Sequence, residues 1–132
     1  MDNTLITWTD DELNKIGQAE ELQIASLRRD GTLRKPVTIW VVCCGGDLYV
    51  RSVNGRTAAW FRGVQTRFEG HIHAGGMDKD VTFLEEPAPD INEQVDAAYR
   101  TKYRRYAASI INYITSSEAR SATIKLIPHS IN

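Results

Sequence analysis

Long apolar runs, spaced cysteines and the common nucleotide-binding signatures are what this chain lacks. Its longest apolar stretch, Val37–Cys44, is interrupted by Thr38. That is far short of the roughly 20 residues a membrane-crossing helix needs. Met1-Asp2-Asn3 carries no basic region ahead of an apolar core, so no secretory signal is expected and a cytoplasmic location is. The two cysteines, Cys43 and Cys44, are adjacent. Neighbours on a strand point to opposite faces, so they are not expected to pair, and at least one is expected in the core. Sixteen basic residues against 17 acidic ones leave a net charge of −1, without the cationic excess of a nucleic-acid binder. No G-x-G-x-x-G, phosphate loop, G-x-S-x-G or H-E-x-x-H occurs, which sets aside a Rossmann fold, a P-loop enzyme and an α/β-hydrolase.

What is present suits one α+β domain over residues 1–132, with 42% hydrophobic residues to build a core. Thr9-Asp10-Asp11-Glu12 is a capping box, with Trp8 and Leu13 as a hydrophobic staple. Leu22–Ala25 alternates weakly as a strand. Pro36–Cys43 is apolar on both faces and reads as a central strand. Gly45-Gly46 turns it back into Leu48–Val53, which ends at Asn54-Gly55. One or two helical turns over Ala58–Val64 precede a second hairpin around Gly75-Gly76. Asp90 reads as an N-cap with Glu93 completing the box, ahead of the stripe Ile91, Val95, Ala98, Tyr99, Tyr103 and Tyr106. Ala107–Ile114 continues helical after a bend, Ser116–Arg120 is a turn and Ala122–Ile127 a last strand. Hairpin-linked strands with helices at either end point to an antiparallel sheet curled into a barrel.

Three constellations carry chemistry. Arg28, Arg29, Arg34 and Lys35 form a local cationic patch suited to a small anion. Arg51, Ser52, Asn54, Gly55 and Arg56, followed by Trp60, bring cations, a turn and an aromatic plane within sixteen residues of Asp47. Phosphate needs N–H donors and guanidinium groups, and a planar heterocycle needs an aromatic wall. The plain alternative is a surface hairpin with a core tryptophan. His71 and His73 share a strand face, but no third ligand has diagnostic spacing, so no metal is expected. Tyr103 and Tyr106 are candidate proton donors or substrate contacts; the alternative is rings packed on the sheet.

The runs Arg34–Val42, Leu48–Arg56 with Trp60-Phe61-Arg62, Ala74-Gly75-Gly76 with Lys79–Phe83, and Asp96–Tyr103 resemble an uncharacterised bacterial family, domain of unknown function 2255. The match runs from Trp8 to Pro128, and that family carries no established activity. More distantly the pattern resembles the split β-barrel flavoproteins, the deazaflavin-dependent nitroreductases and pyridoxamine-phosphate-oxidase-like proteins. Ser52, Asn54, Gly55 and Trp60 match the strand end, turn and helix of the deazaflavin group. The turn is Asn-Gly where that group has Gly-Gly, and no proline precedes Trp60. The resemblance implies a split antiparallel β-barrel with flanking helices, and a homodimer holding FMN or a deazaflavin between subunits. Arg34, Lys35, Arg51, Ser52 and Arg56 would then hold the phosphate, and Trp60 would wall the ring. On that reading Arg51→Ala weakens cofactor binding and leaves the fold intact. A binding module for another anionic small molecule and a cofactor-free acid–base enzyme stand as alternatives.

Overall fold

The computed structural model describes residues 7–129. Helix α1 (Asp10–Gly17) starts at Thr9 through the expected capping box. The Glu12 N–H donates to Thr9 Oγ1 at 3.1 Å, and the Thr9 N–H donates to Glu12 Oε1 at 2.9 Å. Trp8 is buried beside it, its indole N–H donating to the Leu126 carbonyl at 2.9 Å.

Seven strands follow: β1 (Leu22–Ser26), β2 (Val37–Ile39), β3 (Val41–Cys44), β4 (Asp47–Arg51), β5 (Glu69–Ala74), β6 (Met77–Glu85) and β7 (Thr123–Pro128). They form one antiparallel sheet in the order β2-β1-β5-β6-β7-β4-β3. The two end strands are consecutive in the chain, with Trp40 alone between them. The sheet thus curls into a nearly closed barrel, open where Trp40 crosses from one edge to the other. This corrects the expected central strand over Pro36–Cys43. Its two halves are edges, β2 pairing with β1 and β3 with β4. The segment is apolar on both sides for a different reason. Val41 belongs to the barrel core, while Val42 packs in a second cluster under the helices.

Both two-residue hairpin turns use glycine pairs with positive φ, Gly45-Gly46 at 59° and 82° and Gly75-Gly76 at 57° and 77°. Such turns match the right-handed twist of their strands. They fix Cys44 opposite Asp47 and Ala74 opposite Met77. The barrel interior holds Leu22, Ile24, Leu48, Val50, Phe61, Ile72, Val81, Phe83, Ile124 and Leu126. Neither cysteine joins it: Cys43 is exposed and Cys44 half-buried, because β3 is an edge and its last residues flank the turn.

The helices α2 (Ala59–Arg67), α3 (Pro89–Lys102), α4 (Ala108–Ile114) and α5 (Ser117–Arg120) flank the sheet. Helix α3 begins one residue before the expected N-cap. Pro89 takes the first turn, and the Asn92 amide closes it by donating to the Glu86 and Ala88 carbonyls, so Asp90 does not cap. Where a turn is expected, α5 forms, capped by Ser116 Oγ accepting from the Ala119 N–H. Val95 and Tyr99 of α3, Tyr103 at its C-cap, and Ile111 and Ile114 of α4 pack on Val42 and Tyr49. Among the described residues no helix is long and apolar enough to cross a membrane.

Candidate functional site

The break in the barrel opens onto a cavity of about 560 Å³. Thr38, Ile39 and Trp40 line one side, Val53, Asn54 and Trp60 another, and Ile110, Tyr113 and Ile114 of α4 a third. Trp40 is held flat: its ring stacks on Tyr103 at 3.8 Å between centroids and 2° between planes. Tyr99 supports the same residue by donating its hydroxyl to the Trp40 carbonyl at 3.2 Å. The side chains facing this cavity are apolar, aromatic or neutral, apart from Arg51.

Beyond Trp60 the lining changes sign. A cavity of about 230 Å³ carries Arg28, Arg34 and Lys35 beside Ala59 and Trp60. Another of about 440 Å³ carries Arg34 and Arg62 beside Ala59, Gly63 and Thr66. The first shares Trp60 with the apolar cavity, and the two cationic ones share Arg34 and Ala59. The three therefore adjoin one another along this face, and are taken together below as a groove of three sections. Two features point to an anion at its cationic end. Arg34 Nε is buried without a hydrogen-bond partner, although Nη2 donates to Thr66 Oγ1 at 3.4 Å. Helix α2 also starts there at Ala59 with no side-chain cap, leaving the positive end of its dipole open. Gly63 makes this possible: a Cβ there would lie 2.9 Å from both Arg34 Nε and Ser26 Oγ.

Of the residues singled out in the sequence, the groove collects Arg34, Lys35, Asn54 and Trp60. Arg51 borders the apolar cavity, yet no donor is left for a phosphate. All five guanidinium N–H groups are used within the protein: Nε on Thr123 Oγ1, Nη1 on Asp96 and the Ile114 carbonyl, Nη2 on the Asn92 carbonyl and Oδ1. With 1% of its surface exposed, it is a structural cation joining β4, β7, α3 and α4. Arg56 lies outside the groove, paired with Glu85 at 2.6 Å and donating to the Ser121 carbonyl at 2.9 Å. Gly55 serves packing, since at φ 73° a Cβ would meet Glu118 Cγ at 2.5 Å. Ser52 is buried and its Oγ has no partner, but it does not line the groove.

Tyr103 and Tyr106 also fall outside the cavity. The Tyr103 hydroxyl donates to the Glu20 carbonyl at 2.9 Å, and burial pushes its pKa well above the ordinary phenol value. The Tyr106 hydroxyl donates to the Glu20 carboxylate, and that bond, with burial, raises its pKa too. Both back Trp40 from behind. The phenol that does reach the cavity is Tyr113, 67% exposed. Its signal was present in the Ile110, Tyr113, Ile114 spacing, which puts apolar surface on a face of α4 beyond the one carrying Ile111. His71 and His73 sit on carboxylates of the neighbouring strand β6, His71 on Asp78 and Asp80 and His73 on Asp78, each at 3.0 Å. Among the described residues no three His, Cys, Asp or Glu groups are placed to hold a metal ion.

Comparison with known proteins agrees with the barrel. Similar solved structures include a putative pyridoxamine 5'-phosphate oxidase from Listeria innocua, at TM-score 0.65 and 15% identity over 93% of this chain and 94% of that one. An F420 reductase matches at TM-score 0.60 and 12% identity over 93% and 97%. HutZ, the heme storage protein from Vibrio cholerae, matches at TM-score 0.60 and 12% identity over 97% and 93%. At these identities the likeness shows the split-barrel fold. No curated protein matches the sequence. A family model described as an uncharacterized protein conserved in bacteria (DUF2255) matches residues 12–126, and the chain belongs to that family.

Proposed function

We propose that the groove binds a flavin-type cofactor, FMN or a deazaflavin, and that the protein reduces a small substrate by hydride transfer. The observation that carries this reading is the placement of an apolar, tryptophan-walled cavity next to a cationic one, with Trp60 lining both. An anion-tailed planar ring needs that combination. The orphaned Arg34 Nε and the uncapped start of α2 fit the anionic end.

Such a cofactor supplies hydride exchange when bound; the chain's residues bind and orient it. Arg34, Lys35 and Arg28 hold the phosphate or anionic tail. Trp40, kept flat by Tyr103, and Trp60 wall the ring section. Thr38 and Asn54 offer neutral polar groups to the ring edge. Tyr113 replaces Tyr103 and Tyr106 as the phenol able to donate a proton at the cavity mouth. Val53, Ile110 and Tyr113 leave apolar surface exposed around that mouth, which suits cover by a second copy and hence a homodimer.

Absorbance titration of the purified protein with FMN and with a deazaflavin tests the reading. A saturable spectral shift at one cofactor per subunit, weakened about tenfold or more by Arg34→Ala, is expected for loss of a charge-assisted phosphate contact. Absence of any shift with either cofactor would refute flavin binding. One observation favours a second reading, a binding module for another anionic small molecule: among the described residues no acidic side chain or histidine lines the three sections. Saturable phosphate or carboxylate binding without a flavin shift would support it.

A further inference from the structure

We propose that Lys102 is an acyl-accepting amine, a modification site for small acyl phosphates reached through a second groove between α1 and α3. That groove, about 710 Å³, lies apart from the cofactor groove and is lined by Gly17 of α1 and its C-cap Gln18, Cys43 of β3, and Glu20, Lys102 and Arg105.

The bonding of the amine sets it apart from the ion-paired lysines. Lys102 Nζ donates to the Ala19 carbonyl at 2.7 Å and to the Val41 carbonyl at 2.5 Å. Lys15, Lys79 and Lys125 are instead paired with Asp11, Glu12 and Asp47. Glu20, the carboxylate whose charge acts on Lys102, commits one oxygen to Arg105 and the other to Tyr106. An ammonium has three N–H groups. Two of these serve the carbonyls, so loss of the third proton breaks neither hydrogen bond and frees the lone pair. Deprotonating Lys15, Lys79 or Lys125 would instead abolish an ion pair.

The groups around the amine act in the same direction. Burial lowers the Lys102 pKa to about 8, although Glu20 opposes the shift. Free amine at pH 7.5 is then about a quarter of the population, against about a thousandth for an ordinary lysine. The neighbouring Cys43 thiol is pushed up, by burial and then by Asp47, so it stays protonated and does not compete as a nucleophile. Exposed Arg105 supplies a cation for the phosphate end of the reagent.

In the step itself, the Nζ lone pair attacks the acyl carbon and an N–C bond forms. The bond from that carbon to the phosphate oxygen breaks, phosphate leaves with the electron pair, and the surplus Nζ proton passes to water. The amide product keeps one N–H, enough for one of the two carbonyls.

Acylation of the wild-type protein with acetyl phosphate, mapped by peptide mass spectrometry from pH 6.5 to 10, tests this. The denatured chain is labelled in parallel. At pH 7.5 Lys102 of the folded protein should react on the order of tenfold faster than the same lysine in the denatured chain, its larger free-amine fraction being partly offset by lower basicity. Its rate should level off above about pH 8, whereas that in the denatured chain keeps rising. Equal or slower labelling of folded Lys102 at pH 7.5 would overturn the proposal, whatever the shape of its pH profile. A Lys102 rate that climbs in parallel with the denatured chain up to pH 10 would overturn it as well.

Discussion

Replacing Arg51 by Met should strongly destabilise the fold, the reverse of what its place beside a turn suggests. The side chain is buried, and its five donors serve Thr123, Asp96, Ile114 and Asn92. Truncation leaves the Asp96 carboxylate 9% exposed with only Arg120, 3.5 Å away, as a cationic partner. Breaking a buried pair by removing one member costs ~3–5 kcal/mol. Domains of this size hold only ~5–15 kcal/mol in total. The midpoint of thermal unfolding should therefore fall by roughly 10–20 °C. Circular dichroism on the wild type, R51M and the double variant R51M/D96L measures it. The double variant should recover much of the loss, because an apolar pair leaves no charge behind. A single variant melting within about 2 °C of wild type, a shift worth under 1 kcal/mol, would refute the reasoning, as would a double variant less stable than the single.

Three further outcomes follow from particular atoms. Ser52→Ala removes a buried hydroxyl that has no partner, so stability should stay level or rise by about 1 kcal/mol; a loss above about 1 kcal/mol by denaturant unfolding would contradict this. Gly63→Ala places a Cβ against Arg34 Nε and Ser26 Oγ. Phosphate or cofactor affinity should fall several-fold while helix propensity gains up to about 1 kcal/mol; unchanged affinity would show that Arg34 is not held there. For His71, burial alone would lower the pKa, but hydrogen bonds to Asp78 and Asp80 outweigh it and raise the value above 6.5. The protonated ring is thus favoured in the folded state. Its stabilisation is fully present below pH 6.5 and disappears as pH rises through the elevated folded value. His71→Ala should flatten that part of the stability–pH curve, and a curve parallel to wild type would count against the ion pairs.

Local chemistry determined much of this protein on its own. Thr9 and Glu12 close a capping box wherever they stand three residues apart ahead of a helix. Glycine pairs at 45–46 and 75–76 demand tight hairpins, and the spacing of Val95, Tyr99 and Tyr103 fixes the buried face of α3. The cationic cluster Arg28, Arg34 and Lys35 was legible for the same reason: neighbours in sequence stay neighbours in a short loop. What only the tertiary structure decided depends on separations of tens of residues. Whether Val37–Cys44 is a central strand or two barrel edges turns on its partners β1 and β4, not on its own apolarity. Arg51 and Arg56 look equivalent beside the Asn54-Gly55 turn. Yet Arg51 meets Asn92, Asp96, Ile114 and Thr123 in the interior, while Arg56 meets Glu85 and Ser121 at the surface. Tyr103 and Tyr113 differ likewise, one locked behind Trp40 and one at the cavity mouth. A side chain's chemistry is carried by the residue, but its partners, and so its free donors and its access to a ligand, are set by how distant elements pack.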